Sequence, residues 1–168
     1  LSVLVSSSAQ EALMPKNVKA LRVSPPTSAM ELFLAFRLRK HNISVLFSPM
    51  QTTSSLARNF KLISTLHDLI YYRHRNPPEH FNVVIKVIWL LFHTVYWPQR
   101  VLLNNADSVV TVSETTKNQM LDHRLTKREI TVIHNAAEPC EFVERKNRSG
   151  SKDLVYMGSF IGYKNVET

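Results

Sequence analysis

The chain of 168 residues contains one cysteine, Cys140, and only three glycines. A single cysteine excludes an internal disulfide and any cluster of thiolate ligands, so a reducing cytoplasm is the compartment that fits best. None of the glycines belongs to a Walker loop or to a Gly-x-Ser-x-Gly turn. The sequence therefore excludes P-loop NTPases and serine hydrolases built on that turn.

Patterns that bind metal ions are also scarce. No Asp-x-Asp pair is present, and no carboxylate pattern accompanies His74 and His80. Because catalytic metal sites combine such ligands at recognisable spacings, the sequence predicts no catalytic metal and no cofactor.

No apolar stretch is long enough to span a bilayer, which needs about 20 residues. The stretch from Val83 to Trp97 is interrupted by Lys86 and His93 and stops at Pro98. Helical spacing places its apolar residues on two adjacent faces, namely Ile85, Trp89, Phe92 and Tyr96, and Val84, Ile88, Leu91 and Val95. This pattern predicts a helix buried between neighbours, with a membrane-facing role as the alternative.

Acidic residues are fewer than basic ones. Twenty-one Lys and Arg against thirteen Asp and Glu give a formal charge of +8, which favours an anionic partner such as a nucleotide phosphate or an acidic membrane surface. Proteins that bind single-stranded nucleic acid interleave basic residues with aromatic ones. In this chain the basic residues are scattered and show no such pattern. We therefore expect no nucleic-acid partner.

Short β-branched runs alternate with longer helical segments. Strands are predicted at 1–5, 18–23, 43–47, 62–66, 108–112 and 130–133, and helices at 29–40, 81–104 and 114–121. Several strands are apolar almost throughout, as in sheets that are covered on both faces. The predicted fold is α/β, a Rossmann-like parallel sheet with helices on both faces.

The composition changes near the end of the chain. Residues 138–152 are polar and charged and contain Pro139 and Gly150, after which an apolar run resumes at 153–157. We therefore expect three parts: an incomplete first domain at 1–137, a linker at 138–152, and the first strand of a second domain at 153–168.

Polar side chains follow three of the predicted strands. His67 and Asp68 follow the fourth strand, Ser113 and Glu114 the fifth, and Asn135 the sixth. Ligands of parallel sheets bind beyond the carboxyl ends of the strands, so these residues are predicted to line a cleft. His67 could donate a hydrogen bond to a substrate or only cap local backbone, whereas Ser113 is expected to cap the helix that it opens.

Four segments, taken in order, resemble the retaining glycosyltransferases of family 4. They are STLHD at 64–68, ADSVVTVSE at 106–114, ITVIHNA at 130–136, and MG at 157–158 with YKN at 163–165. The resemblance implies a GT-B arrangement, in which the first of two Rossmann-like domains holds the acceptor and the second holds a nucleotide sugar. It implies transfer of a hexose from a nucleoside diphosphate sugar, a co-substrate, to a glycan or lipid acceptor.

The resemblance also assigns roles to residues. His67 takes the place of the histidine that contacts the transferred sugar and its phosphates, and is the expected catalytic residue. Gly158, Ser159 and Lys164 take the place of the loop that binds the donor phosphates, with Lys164 as the cation that stabilises the departing group. The family often has arginine where this chain has Ser159, so that loop has one cation fewer.

Other features of the family are expected to lie outside the 168 residues. No glycine-rich loop follows the first strand, and the paired glutamates that bind the donor would come after Thr168. The chain is therefore expected to be a truncated and inactive piece of a cytoplasmic transferase, with contact at the inner membrane face as an option. One alternative is a non-catalytic module that docks on acidic lipid or a protein partner. Another is a different enzyme on this architecture, such as an epimerase of nucleotide sugars.

Overall fold

A computed structural model of the chain describes residues 1–25, 28–78, 81–137, 155–158 and 164–166. The chain forms two compact units, Leu1–His134 and Asn135–Thr168. The predicted linker at 138–152 lies outside the described residues, and the division into domains stays a prediction. In the second unit, the described residues 155–157 are not in a strand, so the strand predicted to run to Met157 is wrong at these three positions.

The first unit contains the six strands that the sequence predicts. They are β1 (Ser2–Val5), β2 (Lys19–Arg22), β3 (Val45–Ser48), β4 (Lys61–Leu66), β5 (Ser108–Thr111) and β6 (Ile130–Val132). Every observed pair of neighbouring strands is parallel. The predicted Rossmann-like α/β fold class with parallel strands is thus confirmed.

The strands form two sheets rather than the single sheet that the sequence predicts. β1 pairs with β2, and the other four strands form a second sheet in the order β3-β4-β5-β6. A groove of about 590 Å³ lies between β1 and β3 and is lined by residues of both, among them Val3, Leu4, Val45 and Phe47. Side chains, not backbone hydrogen bonds, therefore connect the two sheets in the described part of the chain.

Within the described residues, six α-helices accompany the strands. They are α1 (Ser8–Ala12), α2 (Leu34–Leu38), α3 (Ile70–Arg73), α4 (Val83–Thr94), α5 (Trp97–Asn104) and α6 (Glu114–Asp122). Short 3-10 turns at Ala29–Phe33 and Arg39–His41 flank α2, so the helix predicted at 29–40 is present but irregular. The helix predicted at 81–104 is broken into α4 and α5. Val95 is extended, and Pro98 lies in the first turn of α5, where its missing N–H costs no hydrogen bond.

The main core lies between the four-stranded sheet and helices α5 and α6. Its buried members are Leu62, Leu66, Leu69, Tyr72, Leu103, Ala106, Val109, Met120, Leu125 and Ile130. A smaller cluster of Leu34, Ala35, Leu38 and Phe60 packs with Leu4 of β1. The main core thus supports β4 and β5, two of the three strands whose ends carry the candidate cleft residues.

Helix α4 is exposed, so its predicted burial between neighbours is wrong. Val84, Ile88 and Leu91 keep 68%, 60% and 65% of their surface exposed, and no residue of the helix is buried. Only one side packs, where Trp89 meets the ring of Tyr71 with 5.2 Å between centroids. No helix within the described ranges is long and apolar enough to cross a membrane.

Asp107 connects the start of β4 to the loop before β5. Its carboxylate accepts a hydrogen bond from the Leu62 N–H at 2.8 Å and contacts Arg58 at 2.6 Å and Lys61 at 3.2 Å. Partial burial alone would raise the pKa of Asp107, but the hydrogen bonds from Leu62, Lys61 and Arg58 lower it to about 2. The charged form therefore stabilises the folded state.

Asp107→Ala is expected to lower the free energy of unfolding by about 1–2 kcal/mol at pH 7, because the Leu62 N–H and two cations lose their acceptor. Since the folded pKa lies below the unfolded value of about 3.9, the contribution of Asp107 is present above pH 4 and is lost as pH falls towards 2. Urea unfolding at pH 7 and pH 3 measures both effects. Asp122→Ala, on an exposed helix end, is the control and should change stability by less than about 0.5 kcal/mol. An equal loss in the two variants would contradict the role of Asp107.

Candidate functional site

The carboxyl end of β4 is held in place by hydrogen bonds to both neighbouring strands. Thr65 Oγ1 donates to the carbonyl of Ser48 in β3 at 2.9 Å, and Thr111 Oγ1 in β5 donates to the carbonyl of Leu66 at 2.7 Å. All four residues are buried, and three of them, Ser48, Thr65 and Thr111, are polar. These hydrogen bonds satisfy buried polar groups that would cost stability if they were left unpaired. The next residue, His67, therefore leaves the sheet at a fixed position.

His67 lies at the exposed edge of the sheet. Its Nε2 is 2.8 Å from the carbonyl oxygen of Pro49, the first residue after β3. Because a carbonyl oxygen only accepts, Nε2 carries the hydrogen, and Nδ1 is the ring nitrogen that can meet a ligand. The backbone carbonyl of His67 also accepts from Thr116 Oγ1 in α6 at 3.2 Å.

Asp68 has a structural partner. Its Oδ1 accepts a hydrogen bond from the N–H of Ile70 at 3.0 Å, at the start of α3. A carboxylate is suited to a position just before a helix, because the first backbone N–H groups of the helix lack partners. Asp68 thus fixes the direction in which the chain leaves His67, and this exposed residue also borders a small pocket.

Ser113 caps α6 as the sequence predicts. Its Oγ accepts from the N–H of Thr116 at 3.1 Å, and Glu114 occupies the first turn of the helix. Thr116 contacts both Ser113 and the carbonyl of His67, so the ends of β4 and β5 are neighbours. A direct contact of Ser113 or Glu114 with a ligand stays a prediction.

A pocket of about 160 Å³ lies beside His67 in the first unit. It is lined by Gln51, Leu66, His67, Asp68, Leu69, Tyr71, Tyr72, His93 and Gln99. The sequence pointed to only two of these residues as functional, His67 and Asp68. A signal for Gln99 was available, because it lies one helical turn before the buried Leu103 and so on the buried face of α5.

Two aromatic side chains that line the pocket, Tyr72 and His93, have shifted pKa values. Burial, with a smaller contribution from Tyr96, raises the pKa of Tyr72 to about 12, so its hydroxyl remains protonated. Burial also lowers the pKa of His93, although its hydrogen bond to the Trp89 carbonyl opposes this. The neutral ring carries its hydrogen on Nδ1, which lies 2.8 Å from that carbonyl, and Nε2 is an acceptor.

The other predicted site residues belong to the second unit or lie outside the described residues. Asn135, Gly158 and Lys164 are in the second unit, and Ser159 lies outside the described residues. A Cβ added to Gly158 would lie 2.7 Å from the hydroxyl of Tyr156, so a larger residue there would displace that side chain. The assignment of a donor-phosphate loop to these residues stays a prediction.

The described part of the chain contains no group of three or more His, Cys, Asp and Glu side chains that could hold a metal ion. The chemistry available at the end of β4 is therefore that of an imidazole, a carboxylate, a phenol and a carboxamide around one small pocket.

The family model of glycosyltransferase family 4 matches residues 10–139. This segment is more than half of the chain and contains β2 to β6 and the pocket beside His67. The chain therefore belongs to glycosyltransferase family 4. No curated protein and no solved structure shows a significant match.

Proposed function

We propose that this chain serves the transfer of a hexose from a nucleoside diphosphate sugar to a glycan or lipid acceptor, with retention of configuration. The position of His67 carries the proposal. His67 follows the central strand β4 and borders a pocket, and both lie in the segment that matches a glycosyltransferase family. Ligands of open parallel sheets bind at this edge. The nucleotide sugar is a substrate, and no cofactor is needed for the reaction.

In the proposed reaction, the acceptor oxygen forms a bond to the anomeric carbon as the bond from that carbon to the diphosphate breaks. The diphosphate leaves with the electron pair, and the acceptor's proton passes to it. His67 Nδ1 would face a sugar hydroxyl or phosphate oxygen, since Nε2–H is held by the Pro49 carbonyl. Gly158, Ser159 and Lys164 would meet the diphosphate, with the ammonium group opposing its developing charge.

Transfer is tested with the 168-residue chain and with the complete reading frame that encodes it. Each is supplied with a panel of nucleoside diphosphate hexoses, and release of the nucleoside diphosphate is followed. We expect transfer by the complete product and none by the 168 residues alone, because these residues contain no two glutamates at the spacing of the expected donor-binding pair. Failure of the complete product with every donor would contradict the transferase, whereas transfer by the shorter chain would contradict only its inactivity.

The exposed face of α4 supports a second part of the proposal, peripheral contact with an acidic membrane. The face presents Val84, Ile88 and Leu91 to solvent, and the exposed cations Arg73 and Arg75 precede it at the end of α3. Exposed apolar side chains and exposed cations match the acyl boundary and the anionic headgroups of a cytoplasmic leaflet. We place the protein in the cytoplasm with this face on the inner membrane.

Vesicle binding tests this surface. Replacing Ile88 and Leu91 together by aspartate is expected to weaken binding to vesicles with 30% phosphatidylglycerol by more than about tenfold, because burying one such side chain contributes about 1.5–3 kcal/mol. Co-sedimentation at 0.1 M and 0.5 M salt measures the loss and its electrostatic part. The control is Leu13→Asp, since Leu13 is 80% exposed elsewhere on the chain. Equal binding by both variants would contradict membrane contact through α4.

The same surface favours one other candidate function, a non-catalytic module that docks on acidic lipid or a protein partner. Vesicle binding and sugar transfer, measured on the same variants, distinguish the docking module from the transferase. Vesicle binding that depends on Ile88 and Leu91, without transfer by the complete product, would favour the docking module. Transfer that depends on His67 would exclude it.

A further inference from the structure

The pocket beside His67 contains polar groups that the protein leaves unsatisfied. Gln99 is 1% exposed and Tyr72 is 8% exposed, and neither the Gln99 Nε2 nor the Tyr72 hydroxyl has a hydrogen-bond partner among the described residues. Both residues line the pocket. Most buried polar groups in folded proteins are paired, so two orphan groups beside one pocket indicate a ligand that pairs with them.

The lining identifies the chemical class of that ligand. The Gln99 amide and the Tyr72 hydroxyl can donate, and His93 Nε2 can accept, while the rings of Tyr71 and Tyr72 provide apolar surface. No lysine or arginine is found among the described lining residues, which disfavours a phosphate. A sugar ring matches this set, because it has hydroxyl groups at its edge and C–H bonds on its faces.

The size of the pocket limits the ligand to one ring. Its volume is about 160 Å³, well below the 300 Å³ or so at which sites for drug-sized ligands begin. A cavity of roughly 150 Å³ accommodates a benzene molecule in another protein. One six-membered ring is therefore the largest group that suits the space.

We propose that this pocket binds a single neutral pyranose ring, with Gln99 and Tyr72 as the residues that hydrogen-bond to its hydroxyl groups. The proposal rests on the proposed hexosyl transfer and adds specificity-determining residues to it. The protonation states of Tyr72 and His93 suit a neutral ligand, since the hydroxyl of Tyr72 stays protonated and the His93 ring stays neutral. The ring belongs to the transferred hexose of the donor or to the terminal sugar of the acceptor.

Binding is measured by titrating the 168-residue chain with methyl α-D-glucopyranoside, the corresponding mannoside and the galactoside, observed by ligand-detected NMR. Gln99→Leu and Tyr72→Phe remove one polar group each while keeping most of the side-chain volume. Each is expected to raise the Kd of the best glycoside at least about fivefold, as for one lost hydrogen bond. Cyclohexanol, which lacks the other hydroxyl groups, should not compete.

Ser64→Ala is the matched control. The Ser64 hydroxyl is also buried without a partner, but Ser64 does not line the pocket, so its loss should leave the Kd unchanged. Without sugar, the thermal midpoints of the Gln99 and Tyr72 variants should be equal to or above that of the parent chain, because each removes an unsatisfied buried group.

Three results would overturn the proposal: no binding of any methyl glycoside, equal Kd values for the parent chain and both pocket variants, or lowered midpoints in both variants with unchanged binding. Displacement of the glycoside by a nucleoside diphosphate hexose would assign the ring to the donor, and simultaneous binding would assign it to the acceptor. Glycoside binding without transfer by the complete product would contradict the proposed function and leave the ring site standing.

Discussion

Replacing His67 by alanine is expected to lower kcat for hexose transfer by the complete reading-frame product about 10²- to 10³-fold, the usual effect of losing a group that stabilises developing charge. The imidazole is held by the Pro49 carbonyl at 2.8 Å, so its Nδ1 has a fixed direction before substrate arrives. Steady-state release of nucleoside diphosphate measures kcat and KM separately. A fall confined to kcat would indicate that His67 acts mainly in the transition state.

Two further variants separate chemistry from structure. His67→Gln keeps an N–H that can reach the Pro49 carbonyl, so it should fold as well as the parent while remaining slow. His41→Ala changes an exposed histidine of the turn Arg39–His41, which precedes β3 at the opposite edge of the sheet, and should transfer at the normal rate. Normal turnover by His67→Ala would remove this histidine from the mechanism.

Leu103→Ala is expected to produce the largest loss of stability, about 2–5 kcal/mol. Leu103 lies on α5, is fully buried, and belongs to the core that joins β4 and β5 to α5 and α6. Alanine in its place removes apolar contacts and leaves a cavity that a closely packed interior fills only in part. The free energy of unfolding of a typical domain is only about 5–15 kcal/mol, so much of the variant chain could be unfolded near 37 °C. Urea denaturation followed by circular dichroism measures the change.

The matched control is Leu121→Ala on α6. Leu121 is 55% exposed, and alanine is a better helix former than leucine, so the expected change is within about 0.5 kcal/mol. Comparable losses in the two variants would show that the core assigned around Leu103 does not dominate the stability of the first unit.

Strand positions could be predicted because they depend on local sequence. Each predicted strand overlaps the observed one and ends within two residues of it, since β-branched apolar runs favour buried strands wherever they occur. The helices α1 and α3 were not predicted. Each is a single turn whose start is held by one side chain rather than by a long apolar pattern. Ser7 is the N-cap of α1, and Asp68, just before α3, accepts from the Ile70 N–H.

Features that depend on distant parts of the chain could not be read from the sequence. The spacing in α4 showed two apolar faces, but whether another element covers them depends on tertiary packing, and here neither face is fully buried. The position of His67 at the pocket could be predicted because a strand end is a local signal, and its role in catalysis stays a prediction. Gln99 and Tyr72 were missed because their lack of partners becomes visible only when α3 and α5 meet at the pocket.

The division of the strands into two sheets affects how the first unit can unfold. The ribbon of β1 and β2 shares no strand pairing with the sheet of β3 to β6 in the described residues, and Leu4 is among its contacts with the smaller cluster. The ribbon could therefore detach without breaking one backbone hydrogen bond of the larger sheet. We therefore expect an unfolding intermediate in which the ribbon is detached and the larger sheet is intact. Two-state unfolding is expected only for the part built around β4 and β5.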